Sequence, residues 1–343
     1  MHEKYMQQCL DLAIKASGKT LTNPMVGCVI VHQQKIIGEG FHTEYGKPHA
    51  EAEAINSVAE KSLLKNSVLY VNLEPCNHYG KTPPCADLII NSQIPEVVIC
   101  NSDPNPLVAG NGIKKLQEHG IKVTVGILKE KGEFLNRRFF TFHRKKRPYI
   151  ILKWAQTNDG FIDKIRNTVK SQIYPISGEK AHQLVHQWRA EETGILVGKN
   201  TVINDNPNLT VRLAEGKNPV RIVLDRNLEL KKEYSVFNTE AKTIIVNSIK
   251  NEVSENHHYL KPEDDFSLKS ILKSLYATNI QSILAEGGAF TLNQFIKSGL
   301  WDECRIFTSP ENWHEGLKAP EFNFIPSEEI KIGNDSLKIY YNV

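Results

Sequence analysis

Two α/β domains in succession are what the sequence predicts, and three observations predict them. Short apolar strands alternate with helical stretches along the chain, the signature of layered α/β folds. The 343 residues exceed what one domain ordinarily uses. A basic run ending in proline, His143-Arg144-Lys145-Lys146-Arg147-Pro148, interrupts the alternation and places a boundary between domains at 1–145 and 146–343. The run is expected to be a solvated connector, as most charge runs are, rather than a phosphate contact. No repeat at a fixed period points to a solenoid or propeller.

Each element has a local reason. Tyr5, Met6, Cys9, Leu10, Leu12, Ala13 and Ile14 fall at helical spacing, with Gly18 as a stop. Strands at Val26–His32 and Lys35–Phe41 flank a polar Gln33-Gln34 turn, and His49 to Glu60 carries the alanines and glutamates of a helix. A strand at Val68–Asn72, a helix at Pro84–Asn91, a strand at Val97–Cys100, a helix at Ile113–His119 and a strand at Lys122–Val125 complete the first domain. The second has apolar strands at Tyr149–Lys153, Ile195–Val197, Val220–Leu224, Thr243–Val246 and Ser282–Leu284, with helices at Lys180–Glu191 and Ala289–Ser298.

Composition narrows the class. With 40% hydrophobic and 24% charged residues, each half can bury a core. A net charge of +3, from 42 basic and 39 acidic residues, is too balanced to predict a nucleic-acid or membrane surface. The first residues lack the apolar region of a secretory signal, and no stretch of the sequence is long and apolar enough to span a bilayer. Six cysteines are too few for a disulfide scaffold, so a cytoplasmic protein with free thiols is expected. The sequence is silent on oligomeric state and compatible with a homo-oligomer.

The sharpest chemical signal is His49-Ala50-Glu51 at a helix start, followed by Pro75-Cys76-Asn77-His78-Tyr79-Gly80-Lys81-Thr82-Pro83-Pro84-Cys85. One imidazole and two thiolates make three zinc ligands, and a catalytic zinc keeps its fourth position for water. Zinc lowers the pKa of that water from about 16 to about 7. In zinc-dependent base deaminases the resulting hydroxide attacks a ring carbon bearing an amine, while a non-ligating glutamate, here Glu51, moves the protons. Two other readings stay open: a closed zinc knot completed by His78 or Cys28, with Glu51 only a helix-start carboxylate, and a zinc-stabilised ligand-binding protein. The eight residues 77–84 between the cysteines, where nucleic-acid deaminases have two, count against a nucleic-acid base editor.

These motifs resemble the deaminase half of the bifunctional riboflavin-biosynthesis deaminase/reductase family. The resemblance extends through Thr22-Asn23-Pro24-Met25-Val26-Gly27-Cys28-Val29-Ile30-Val31, Asp103-Pro104-Asn105-Pro106 and Gly110-Asn111-Gly112, nearly all of 1–145. It implies a cytidine-deaminase-like three-layer domain in which His49, Cys76 and Cys85 bind zinc and Glu51 shuttles the proton. Asn23 and His42 would line the pocket of a phosphoribosylated aminopyrimidine. Asn23 also suits a turn before Pro24, and His42 the end of its strand.

In the second half, strands run into Gly198-Lys199-Asn200-Thr201 and into Glu286-Gly287-Gly288, each ahead of a helical stretch. Such strand–glycine–helix junctions suit phosphates, although neither is the dinucleotide fingerprint and both also suit plain α/β packing. Here Lys153-Trp154-Ala155-Gln156-Thr157-Asn158-Asp159-Gly160, Trp188-Arg189-Ala190-Glu191, Gly194 to Arg212, Pro219 to Arg226 and Glu286-Gly287-Gly288 resemble the family's reductase half, a dihydrofolate-reductase-like α/β domain. The resemblance implies NADPH contacts from Ala155, Thr201, Asp205 and the segment from Gly288, and substrate contacts from Arg189, Leu209, Arg212 and Glu286. For the arginines the plainer alternative is a surface pair with Glu191 or Glu192, and for Lys199 an exposed lysine rather than a contact to the cofactor's 2′-phosphate. Lys153 and Asp205 suit proton transfer or a structural pair. Asn158 stands where the family carries leucine, and the stretch Lys164–Ser177 departs from the family pattern, so no binding role is assigned there.

Overall fold

In the first unit, alternation along one strand sets up two packed faces. In β1 (Gly27–His32), Cys28 and Ile30 point to one side of the sheet and Val29 and Val31 to the other. β2 (Lys35–Phe41) folds back through Gln33 and Gln34, both at positive φ, which is the backbone of a tight two-residue hairpin. β3 (Val68–Leu73), β4 (Glu96–Asn101) and β5 (Lys122–Val125) complete a sheet ordered β2-β1-β3-β4-β5, parallel from β3 onward. Helix α1 (His2–Ala13) covers one face through Tyr5, Met6, Cys9 and Leu12. On the other face lie α2 (Ala50–Ser57), α3 (Cys85–Asn91) and α4 (Asn111–Glu118), giving three layers. α5 (Lys129–Leu135) and α6 (Arg137–Lys145) close the unit. The computed structural model describes residues 2–20, 22–77, 83–106, 108–166 and 173–342.

The polypeptide divides into two compact units, Met1–Lys145 and Lys146–Val343. The basic run departs from the expected connector: His143, Arg144 and Lys145 form the last turn of α6, where cations meet the negative end of the helix dipole, and Phe139, Phe140 and Phe142 are buried. α2 ends at Ser57, short of the expected Glu60.

The second unit is built on a ten-stranded sheet ordered β11-β12-β10-β9-β8-β13-β6-β14-β17-β16. The parallel run comprises β12 (His257–Leu260), β10 (Thr243–Val246), β9 (Val220–Leu224), β8 (Gly194–Gly198), β13 (Ser282–Ala285), β6 (Tyr149–Gln156) and β14 (Glu303–Thr308). Antiparallel β11 (Glu252–Val253) edges one side; β17 (Asp335–Tyr341) and β16 (Glu328–Ile332) edge the other. β7 (Phe161–Asp163) and β15 (Leu317–Lys318) pair separately. Helix α7 (Glu179–Glu191) covers one face through Ala181, Val185 and Trp188, and α9 (Leu268–Ala277) and α10 (Ala289–Ser298) cover the other. α8 (Lys199–Asp205) follows β8 directly. The C-terminal ends of β6, β8 and β13 therefore lie side by side, the edge at which open parallel sheets bind ligands.

Candidate active sites

Glycines bring the first site together. A Cβ on Gly40 of β2 would collide with the backbone of Ala50 and Ala54, so only glycine lets α2 lie this close to the sheet. His49 caps α2 in extended backbone, and Glu51 sits in its first turn, 4% exposed. Cys85 opens α3, and Cys76 follows β3 on a loop whose carbonyl accepts the Ala86 N–H at 3.1 Å. His49 Nδ1 lies 3.5 Å from Cys76 Sγ and 3.3 Å from Cys85 Sγ, and the donor atoms all fall within 4.8 Å of one another. One nitrogen and two sulfurs at this spacing are the donor set of a zinc site with an open position. No fourth His, Cys, Asp or Glu joins them among the described residues; Cys28 does not, and His78 lies outside those residues.

The electrostatics suit a metal and a proton carrier. The hydrogen bond from Cys85, reinforced by His49, draws the Cys76 thiol well below its ordinary pKa, and the same pairing pushes Cys85 up. Burial, with the charge of Cys76, raises Glu51 to about 7. His42 is buried; its Nδ1 faces the Pro48 carbonyl at 3.1 Å and must carry the proton there, so Nε2 accepts from the Asn23 amide at 3.2 Å. Burial holds its pKa down, and its ring packs edge-on to His49 at 5.6 Å. Asn23, His42 and His49 are thus in contact in turn, with Glu51 two residues beyond His49.

One residue escapes sequence reasoning. The buried carboxylate of Glu74 accepts four backbone N–H groups, from Asp103 and Gly110 on one oxygen and from Gly112 and Ile113 on the other, at 3.0–3.3 Å. It caps α4 and ties the 103–112 loop to the strand end carrying Cys76. Gly112 lies so close to the Pro75 carbonyl that any side chain would collide with it. The loop motifs hint at a turn; nothing in the sequence says that Glu74 holds it.

In the second unit, Arg189 of α7 grips Glu286 with two parallel bonds, Nε to Oε1 at 2.8 Å and Nη2 to Oε2 at 2.9 Å, and Lys153 Nζ stands 3.6 Å from the same carboxylate. Burial would raise Glu286, but Arg189 and Lys153 outweigh it and hold it at about 2. Burial lowers the pKa of Lys153. Arg189 therefore pairs with neither Glu191 nor Glu192 but with another residue expected at the substrate. Leu209 is 3% exposed and packs on Ile195, Val197 and Val202, so what it can offer a ligand is its backbone. Thr201 Oγ1 accepts the Gly288 N–H at 3.2 Å, joining the two strand–glycine–helix junctions, and Ala155 lies near the end of β6. Asp205 is held by Arg166 at 2.7 Å, a partner from the stretch where the family pattern is lost. Lys199 is paired with Glu229 at 2.5 Å.

Residues 1–101 match the family model of the cytidine and deoxycytidylate deaminase zinc-binding region, and residues 148–311 that of the RibD C-terminal domain. The riboflavin biosynthesis protein RibD of Aquifex aeolicus is 43% identical over 336 residues, which is 95% of this chain and 92% of the relative. The chain belongs to the RibD family. The RibD of Bacillus amyloliquefaciens is 40% identical over 90% of this chain and 85% of its own. Among solved structures, RibD of Acinetobacter baumannii matches with a TM-score of 0.87 at 31% identity, covering 99% of this chain and 98% of that one. A diaminohydroxyphosphoribosylaminopyrimidine deaminase/5-amino-6-(5-phosphoribosylamino)uracil reductase of Thermotoga maritima matches at 0.81 and 39%, covering 98% and 97%. Like these RibD proteins, the chain is a bifunctional riboflavin-biosynthesis enzyme: a zinc-binding, cytidine-deaminase-like domain precedes an NADPH-dependent, dihydrofolate-reductase-like domain. Among the described residues no helix is long and apolar enough to cross a membrane.

Proposed function

We propose that the chain performs two consecutive steps on one phosphoribosylated aminopyrimidine, the first in residues 1–145 and the second in 146–343. In the first, water replaces the 2-amino group of 2,5-diamino-6-(5-phosphoribosylamino)pyrimidin-4(3H)-one, giving 5-amino-6-(5-phosphoribosylamino)uracil and ammonia. In the second, hydride reaches C1′ and the ribosyl ring opens to a ribityl chain. The observation that carries this reading is the three-donor cluster with a buried carboxylate beside it, in a chain similar over nearly its whole length to the Thermotoga maritima enzyme whose name states both activities.

Zinc, held by His49, Cys76 and Cys85, supplies the Lewis acid that makes water nucleophilic near neutral pH. Glu51, buried in the first turn of α2 two residues after His49, takes the water proton and passes it to the departing nitrogen. Asn23, fixed through its amide by His42, keeps its side-chain carbonyl for a ring N–H of the substrate.

NADPH supplies the hydride of the second step. The N-terminus of α10 at Gly288, with Thr201, Ala155 and Asp205, holds the cofactor. Arg212 and the Leu209 backbone hold the substrate, against a wall formed by the Arg189–Glu286 pair. Lys153, largely buried beside Glu286 and readier than an ordinary lysine to release a proton, protonates the ribose ring oxygen as the ring opens. A cytoplasmic location suits the six unpaired thiols.

The test is NADPH oxidation on adding the deaminated phosphoribosylamino-uracil to purified protein, alongside ammonia release from the diamino precursor. Oxidation with formation of the ribityl product is expected. Ammonia release without oxidation would leave a deaminase alone and overturn the second half of the reading.

A further inference from the structure

The segment carrying Leu209 and Arg212 belongs to no helix or strand, yet three consecutive residues are pinned, two of them from α7 and one from farther along the same segment. Arg189 Nη1 donates to the Thr210 carbonyl at 3.3 Å, the Val211 N–H donates to Asn218 Oδ1 at 2.8 Å, and the Arg212 N–H donates to His186 Nδ1 at 3.0 Å. His186 and Arg189 are one turn apart on α7, so the same helix face that grips Glu286 also sets this segment.

The two arginines are not equivalent. Arg189 is largely buried, its side chain 13% exposed, and its guanidinium is already engaged by Glu286 and Thr210. The Arg212 side chain is exposed and makes no ion pair among the described residues. It is therefore the guanidinium free to take a phosphate dianion, and its position depends on where its backbone is held. His186, 5% exposed, can serve as that anchor only while Nδ1 keeps its lone pair. Burial and the nearby charges of Arg189 and Arg212 keep it neutral, with a pKa of about 4.

We propose that His186 is a positioning residue for phosphate recognition in the reduction step: by accepting the Arg212 N–H it fixes the uncommitted guanidinium where the substrate's phosphate arrives. The inference rests on the assignment of that step to the second unit.

The experiment compares steady-state reduction of 5-amino-6-(5-phosphoribosylamino)uracil with that of its dephosphorylated counterpart. The proteins are the wild type, H186L, H186Q, H186N, R212A and the H186L/R212A double variant. H186L is expected to raise KM for the phosphorylated substrate about tenfold with kcat within about twofold, and to leave KM for the dephosphorylated one unchanged. H186Q, whose amide reaches the Nε2 rather than the Nδ1 position, carries the same expectation and stands in should the leucine variant not fold. H186N keeps an acceptor near Nδ1 and should recover most of the affinity. The double variant should be no worse than R212A alone. An equal KM rise on both substrates, or additive effects in the double variant, would overturn the proposal. A wild type that releases ammonia but oxidises no NADPH would instead remove the reading on which it rests, and the proposal with it.

Discussion

The two sites are built on opposite principles. In the first unit the chemistry resides in donor atoms that would bind a metal in any scaffold bringing them within 4.8 Å, and the fold has only to gather three of them around an open position. In the second, each group works through a partner: Glu286 is held at about 2 by Arg189 and Lys153, Lys153 stands beside that carboxylate, and the Arg212 backbone N–H is held by His186. A site made of intrinsic ligands fails all at once when one is removed. A site made of pairs fails by degrees, because each group left behind keeps some of its function and leaves its former partner unsatisfied.

The largest effect should come from Cys76→Ala, which is expected to reduce bound zinc to background and ammonia release to the uncatalysed level while NADPH oxidation continues. Metal analysis and the two assays on one preparation check it. Glu51→Gln sharpens the contrast, since it should retain zinc and lose about 10³-fold in ammonia release. Loss of reduction in either variant would mean that the two sites are not independent.

Glu286→Gln tests the paired site. Removing the carboxylate leaves Arg189 and Lys153 facing each other without compensation, a loss of roughly 3 kcal/mol of stability at neutral pH. Because the folded pKa of Glu286 is depressed, its contribution is present above the ordinary value of 4.5 and fades as pH falls toward 2. The gap between wild type and variant in urea denaturation should therefore narrow between pH 5 and pH 2. A constant gap would show that the charge is not what the pair contributes.

A smaller effect is expected for Glu74→Gln, which replaces one of two accepting oxygens with an amide donor facing backbone N–H groups. Zinc loss to a chelator should be about tenfold easier, as for other groups that orient ligands, with NADPH oxidation unaltered. The smallest belongs to Lys199→Ala: its partner Glu229 is half-exposed, and NADPH affinity should stay within about twofold. A large drop would place Lys199 at the cofactor's 2′-phosphate after all.

Legibility in the sequence followed the same division. His49, Glu51, Cys76 and Cys85 could be named because zinc chemistry demands those residue types, and the alternation of β1, the Gln33-Gln34 hairpin and the apolar parallel strands were visible as patterns. β14, β16, β17 and helices α5 and α6 were not foreseen. β16 is largely exposed and charged, and becomes a strand through its pairing with β17, while α6 carries its buried phenylalanines just ahead of the run at His143–Pro148, whose first three residues form its last turn.

The sequence by itself determined that the chain holds two α/β domains, that a set of zinc-ligand residue types with a carboxylate beside it lies in the first, and that phosphate-suited glycine junctions lie in the second. Those features are local, set by residue type and short-range spacing. Only the tertiary structure decided that Glu74 ties the 103–112 loop to the Cys76 strand end, that Arg189 serves Glu286 rather than its neighbours in sequence, and that His186 holds Arg212. Each joins residues on separate elements, 97 apart for Arg189 and Glu286 and 26 apart for His186 and Arg212, and a hydrogen bond across such a gap exists only once the sheet and α7 have packed.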